Sequence, residues 1–324
     1  MARFTLASSC AWCTALSIVL AACGRSAPPP AKVGLRIVTT TSMIADAARK
    51  VAGDKAEVVA LMGQGVDPHV YKASPGDVRL LESADLILYN GLHLEGRMAD
   101  TLAQLATRRR VVAVTVSIPR HLLRSPPEFD RQFDPHVWFD PSLWKFVAGQ
   151  ARDSLIELDP PSAEYYRANA AAYVKELDAL ANWTTTQIAT IPESGRVLVT
   201  AHDAFGYFGR AFGVRVLGVQ GISTDSETSI DTIRSLVTLL VEQKVPAVFI
   251  ESSVPRKAIE SLIEGARARG HSLVIGGELY SDAMGPAGTP EGTYVGMFRH
   301  NVRAIVSALG GTVDDAAPAA GKGP

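Results

Sequence analysis

Apolar positions along this chain fall into two alternating rhythms. Short β-branched runs, Arg36 to Thr40, Val58 to Met62, Leu86 to Tyr89 and Val111 to Val114, have the length of buried parallel strands and are separated by stretches of helical period. After residue 190 the alternation restarts with Val197 to Thr200, Val214 to Val219, Ala247 to Ile250 and Leu273 to Ile275. Between them, stretches such as Ile230 to Glu242 and Arg256 to Arg269 are amphipathic at helical spacing, so their apolar faces would cover a sheet. The pattern predicts an α/β fold of two lobes, each a mostly parallel β-sheet of about four strands flanked by helices.

The segment between the two halves is different. From Pro160 to Ile191 the apolar residues Tyr166, Ala170, Tyr173, Leu177 and Leu180 are spaced by 4, 3, 4 and 3, which is one face of a helix. Pro161 near the first turn and Pro192 past the end mark its limits. A continuous helix of that length would measure about 45 Å at ~1.5 Å per residue, enough to serve both lobes. The alternative is a helix-turn-helix connector broken near Asn182. The expected domains are thus an N-terminal lobe over residues 35–159, a linking helix over 160–192 and a C-terminal lobe over 193–309.

The ends of the chain add a location. Residues 1–22 carry one cationic side chain, Arg3, then an apolar run through Leu16, Ile18, Val19 and Leu20, and small residues before Cys23: a secretory signal. The apolar run is shorter than the ~20 residues that span a bilayer. Leu20-Ala21-Ala22-Cys23 resembles the bacterial lipobox, which implies a lipid on the Cys23 thiol and an extracytoplasmic protein held at a bacterial membrane. Residues 24–34, rich in proline, read as an extended tether, and 310–324, without apolar period, as a disordered tail. Cys10 and Cys13 leave with the signal, so one mature chain has no disulfide and relies on its core. The signal removes one of 32 basic residues, leaving 31 against 33 acidic, a net charge of −2. No nucleic-acid partner is expected from such a balance.

Candidate chemistry rests on histidine. Two of the seven share a tripeptide, Asp67-Pro68-His69 and Asp134-Pro135-His136, in which proline stiffens the turn that presents the imidazole. His202 lies two residues beyond the strand expected at Val197 to Thr200, and Asp282 lies beyond the last strand. Ligands of open parallel sheets bind outside the carboxyl ends of the strands. Two groups from each half, His69 and His136 with His202 and Asp282, could converge there as three nitrogens and one oxygen, a set suited to a divalent first-row metal.

Asp67 to Tyr71, Asn90 to Glu95, Asp134 to Asp140, the His202 segment and Leu279 to Gly285 resemble, in order, the motifs of the TroA-type metal-binding lipoproteins, the cluster A-I or ZnuA-like family. These are solute-binding components of zinc and manganese ABC importers, and some carry an adhesin label. The resemblance implies two lobes joined by a long helix, the ligands His69, His136, His202 and Asp282, and one Zn2+ or Mn2+ per chain as the transported ligand. It also implies a monomer whose partner is a membrane permease. Many zinc-specific members have a histidine-rich loop between the first two ligands, whereas Ser117 to Gln132 holds only His121. Manganese-specific members usually have a carboxylate where this chain has His202, so both ions are expected.

His93 and Glu95 would be outer partners orienting a ligand ring, or surface polar residues; Glu251 would be either such a partner or a helix cap. His271 and His300 read as structural or exposed. Two rival functions are a zinc hydrolase and a binder of a metal chelate such as a siderophore or haem. Asp282 would fill the position that a hydrolase leaves open, and no His-Glu-x-x-His motif occurs. A chelate binder needs a wide cleft lined by aromatics or arginines. The chain is therefore expected not to be an enzyme.

Overall fold

A computed structural model describes Met1 and residues 34–129, 132–225 and 228–314. Cys23, the signal, most of the tether and residues 315–324 lie outside the described residues. The first half contains β1 (Leu35–Thr39), α1 (Ser42–Ala52), β2 (Ala56–Ala60), α2 (Pro75–Glu82), β3 (Leu86–Tyr89), α3 (Ala99–Ala106) and β4 (Val111–Ala113). Its strands pair in parallel in the order β2-β1-β3-β4. The order reverses between β1 and β3, and a crevice opens at their carboxyl ends, where open sheets of this kind take ligands. Ile37, Val38, Leu86, Ile87 and Leu88 are fully buried because helices cover both faces.

The chain then forms an antiparallel pair of helices, α4 (Pro141–Leu158) and α5 (Ala163–Ala189). Asp140 caps α4 by accepting from the Ser142 N–H at 2.9 Å, and Pro141 occupies its first position. The long helix is continuous through Asn182 for 27 residues, about 40 Å. Beyond Asn182 the helix continues, and the hydroxyls of Thr184, Thr185 and Thr186 are accommodated within it by donating to the carbonyls of Leu180, Ala181 and Asn182, at 2.8, 3.0 and 3.1 Å. Its buried face, Tyr166, Ala170, Tyr173, Leu177 and Leu180, is the one the spacing predicts.

The second half contains β5 (Val197–His202), α6 (Gly206–Phe212), β6 (Arg215–Gln220), α7 (Ile230–Glu242), β7 (Ala247–Glu251), α8 (Lys257–Ala268), β8 (Val274–Leu279) and α9 (Tyr294–Ala308). Its four strands form two parallel ladders, β5-β6 and β7-β8, with β5 lying beside β7. Strand β5 runs two residues further than its apolar run suggests, so His202 is a strand residue. Strand β8 also runs further, through Gly276 and Gly277, because the ladder skips Gly276 at a bulge opposite Val248 and Phe249. A Cβ on Gly276 would lie 2.6 Å from that of Ala308 on α9, so only glycine lets strand and helix approach.

The seam between the halves is packed. Helix α5 lies against α1 and α4 on one side and α9 on the other. Phe139 stacks on Phe205 of the second half at 4.1 Å between centroids, and Trp144 on Tyr294 at 5.3 Å. One hydrophobic core thus runs from Ile37 to Leu309 across both halves. Residues 311–314, in the stretch read as a disordered tail, are held on α5: the Asp314 N–H donates to the Gln187 Oε1 at 2.8 Å, and the Trp183 indole to the Asp314 carbonyl at 3.2 Å. Among the described residues the packing buries a group of histidines and carboxylates, His69, His136, His202 and Asp282, beyond the carboxyl ends of the strands.

Candidate metal centre

Each Asp-Pro-His turn is closed by its own aspartate. Asp67 Oδ1 accepts the backbone N–H of His69 at 2.8 Å, and Asp134 Oδ1 accepts that of His136 at 3.0 Å. Asp134 reaches further, taking the His136 Nδ1 at 2.8 Å, while Arg124 holds its other oxygen at 2.5 Å. With Nδ1 engaged by Asp134, Nε2 is the nitrogen of His136 left to take a cation.

His202 reaches the same point from the other half. It ends β5, and Glu251, which ends β7, accepts both its backbone N–H at 2.8 Å and its Nδ1 at 2.5 Å. Glu251 is thus bound to the imidazole rather than capping a helix. Asp282 sits in the turn after β8, where Ser253 donates to its Oδ2 at 3.4 Å and Trp138 of the first half donates to the neighbouring Ser281 carbonyl at 2.9 Å.

The four side chains converge. Nε2 of His69 lies 3.2 Å from Nε2 of His136, which lies 3.5 Å from Asp282 Oδ1; Nε2 of His202 lies 3.3 Å from Asp282 Oδ2. All four candidate ligand atoms lie within 4.8 Å of one another, and all four residues are buried. A tetrahedral ion with bonds of about 2.0–2.1 Å would space its donors by roughly 3.3 Å. His202 Nε2 and Asp282 Oδ1 have no hydrogen-bond partner although both are fully buried, and buried polar atoms without partners are costly. The cluster therefore fits one divalent cation, which would satisfy both atoms at once.

Charge supports the fit. Burial opposes charging of His202, yet Glu251 and Asp282 hold its pKa well above the ordinary histidine value. His136 is also raised, against burial, by Asp134 and Asp282. Asp282 is held well below the carboxylate range by the histidines, despite its burial. For His69 burial outweighs the pull of Asp282, the other two imidazoles oppose a further charge, and the pKa falls to about 3. The carboxylates thus draw positive charge to the centre, and a cation supplies it in compact form.

Three of the other histidines lie elsewhere. His93 is exposed in a left-handed turn, φ 65°, away from the cluster. Nε2 of His271 contacts the Val245 carbonyl at 2.7 Å, and that of His300 the Glu278 carbonyl at 3.0 Å. Glu95 is buried but touches no ligand: it accepts from the Thr40 hydroxyl and the Asn90 N–H, both at 2.7 Å, and from the Gly91 N–H at 3.1 Å. Asn90 Nδ2 in turn donates to the Pro135 carbonyl at 3.0 Å, one residue before His136. Sequence reasoning missed Asp67 and Asp134, although their signal was present: an aspartate two residues before each histidine.

Four buried groups, two from each α/β half, whose candidate ligand atoms lie close enough together to hold one cation, define a metal-binding protein. The chain belongs to the family described as zinc-uptake complex component A, periplasmic, whose profile matches residues 37–308. It is 48% identical over 294 residues to the manganese-binding lipoprotein MntA of Bacillus subtilis, covering 90% of this chain and 96% of that protein. It is 49% identical over 273 residues to the zinc-binding protein TroA of Treponema pallidum, covering 84% and 88%. The solved structure of periplasmic zinc-binding TroA from that organism superposes with a TM-score of 0.83 at 48% identity, covering 85% of this chain and 99% of that one. Fe(III)-bound YtgA from Chlamydia trachomatis superposes with a TM-score of 0.79 at 28% identity, covering 87% and 100%.

Proposed function

We propose that this chain captures a divalent transition-metal ion, zinc or manganese, outside the cytoplasm and delivers it to the membrane permease of an ABC-type importer. His69, His136, His202 and Asp282 bind one ion per chain as cargo. The observation that carries this reading is the convergence of these four buried groups, two from each half, with atoms left unsatisfied unless a cation joins them. The chain works as a monomer, anchored through a lipid on Cys23 with the prolines after it as tether. Among the described residues no helix is long and apolar enough to cross a membrane.

The protein is not an enzyme. A hydrolytic metal centre keeps one coordination position for water and a free base beside it. Here four protein donors surround the centre, and the nearby carboxylates of Asp134 and Glu251 are engaged with ligand rings. A chelate such as haem or a siderophore needs far more room than donors within 4.8 Å of one another leave. Purification without chelator, followed by elemental analysis and titration of the stripped protein, tests the reading. One zinc or manganese per chain is expected; protein without a stoichiometric ion, or one that turns over esters or peptides, would overturn it.

A further inference from the structure

The three imidazoles are not held alike. His136 and His202 are fully buried, and each has a carboxylate on Nδ1. His69 is 5% exposed, is followed by Val70 at 41%, and among the described residues has no carboxylate on its ring. Its position is fixed through its backbone N–H, which Asp67 Oδ1 accepts. The other oxygen of Asp67 accepts the hydroxyl of Thr224, a residue of the second half, at 2.5 Å. The next residue, Asp225, pairs with Arg97 of the first half. The turn that presents His69 is therefore tied across the seam at the solvent side of the cluster.

From this asymmetry we infer that Asp67 and Thr224 are positioning residues that set how fast the ion leaves, by holding His69 on it. The inference rests on the metal-capture reading above. An ion held by four donors leaves by losing them in turn, and the donor whose ring is least braced and nearest solvent goes first. While the hydroxyl of Thr224 holds Asp67, Asp67 keeps the His69 N–H in place and the ring stays on the ion. Once that bond opens, the turn can swing outward with His69, while His136 and His202 remain fixed by their carboxylates. The exposed Arg97–Asp225 pair adds less, as surface ion pairs do.

The test is zinc release from the full chain into excess colour-changing chelator, followed by stopped flow. Thr224→Val keeps the shape of the side chain and removes only the hydroxyl, and is expected to release zinc about tenfold faster, as loss of a hydrogen bond to a charged group implies. Asp67→Ala, which loses both bonds, is expected to be faster still. Thr228→Val is the control: that hydroxyl donates to the Val219 carbonyl within the second half, at 3.3 Å, and its loss should leave the rate unchanged. One bound zinc per wild-type chain with Thr224→Val at the wild-type rate overturns this inference alone. Equal acceleration in Thr228→Val also overturns it, since loosening of the segment rather than the bond would then set the rate. A wild-type chain that holds no zinc or manganese overturns both readings.

Discussion

The first half delivers its two imidazoles from turns of local design, whereas the second delivers His202 from the end of β5 and Asp282 from the turn after β8. In the Asp-Pro-His turns, ligand and supporting aspartate are two residues apart, and a proline between them sets the geometry. In the second half the support comes from afar: Glu251 is 49 residues from His202 and meets it because β5 and β7 lie side by side. Asp134 and Glu251 nevertheless make the same bonds, one to a backbone N–H and one to Nδ1 of the ring. A ligand can thus be aimed by turn chemistry or by strand placement, and what matters at the metal is the carboxylate on the far nitrogen.

The hardest test of this comparison removes the donors themselves. Asp282→Ala is expected to lose the most, because it deletes the only anionic donor and leaves His136 and His202 facing each other across the space it filled. Alanine at His136 or His202 follows closely. Each should weaken zinc binding by more than the roughly 10- to 100-fold typical of an outer partner, with circular dichroism unchanged. Calorimetric titration decides the matter, and wild-type affinity in any of these variants removes that residue from the site.

Asp134→Ala and Glu251→Ala come next. If local and distant supports are equivalent, each lowers zinc affinity about 10- to 100-fold and by similar amounts. A silent Glu251→Ala beside a damaging Asp134→Ala would break the equivalence, leaving the strand end alone to aim His202.

The same contrast governs how much of the molecule was legible in its sequence. The eight β-branched runs and the linking helix could be read because burial imposes a period on neighbouring residues, and Asp-Pro-His could be read because turn chemistry is local. Glu251 could be seen to end a strand but not to reach His202, since strand order across a crossover leaves no trace in spacing. Strand β8 looked too short because its apolar run stops at two glycines, which mark a bulge and a close helix. Glu95 stood in a motif, yet its three hydrogen bonds organise the loop beside His136 without touching a ligand. The split of β5 to β8 into two ladders has no counterpart in the apolar pattern at all.

Protons separate the two halves further. Zinc binding needs unprotonated imidazoles, and His136 and His202, whose pKa values are raised in the ion-free protein, must release protons to it. Affinity should therefore fall as pH is lowered through the neutral range. His69, lowered to about 3 by burial, is already unprotonated there and contributes no slope. Its replacement by Ala should weaken binding yet keep the pH dependence, while His202→Glu should flatten it. Competition titrations at several pH values read both, and a slope lost with His69 instead of His202 would reverse the assignment.

The smallest expected effect concerns which ion is preferred. His202 is the one imidazole that the second half brings to the cluster, so His202→Glu turns three nitrogens and one oxygen into two and two without touching the turns of the first half. Imidazole favours zinc, whereas carboxylate oxygens suit manganese and, by binding through one oxygen or two, allow its higher coordination numbers. The variant also places a carboxylate beside Glu251, which presently takes both the N–H and the ring of His202. That repulsion makes the new side chain depend on the cation, and it weakens both ions alike. Zinc alone loses a preferred donor as well, so the ratio of zinc to manganese affinity should fall, even though zinc stays the tighter ion as the intrinsic order requires. Competition between the two ions on stripped wild-type and variant protein at one neutral pH measures that ratio. An unchanged or higher ratio would mean that the donor at the end of β5 does not set the preference, and that selectivity is decided by the turns of the first half.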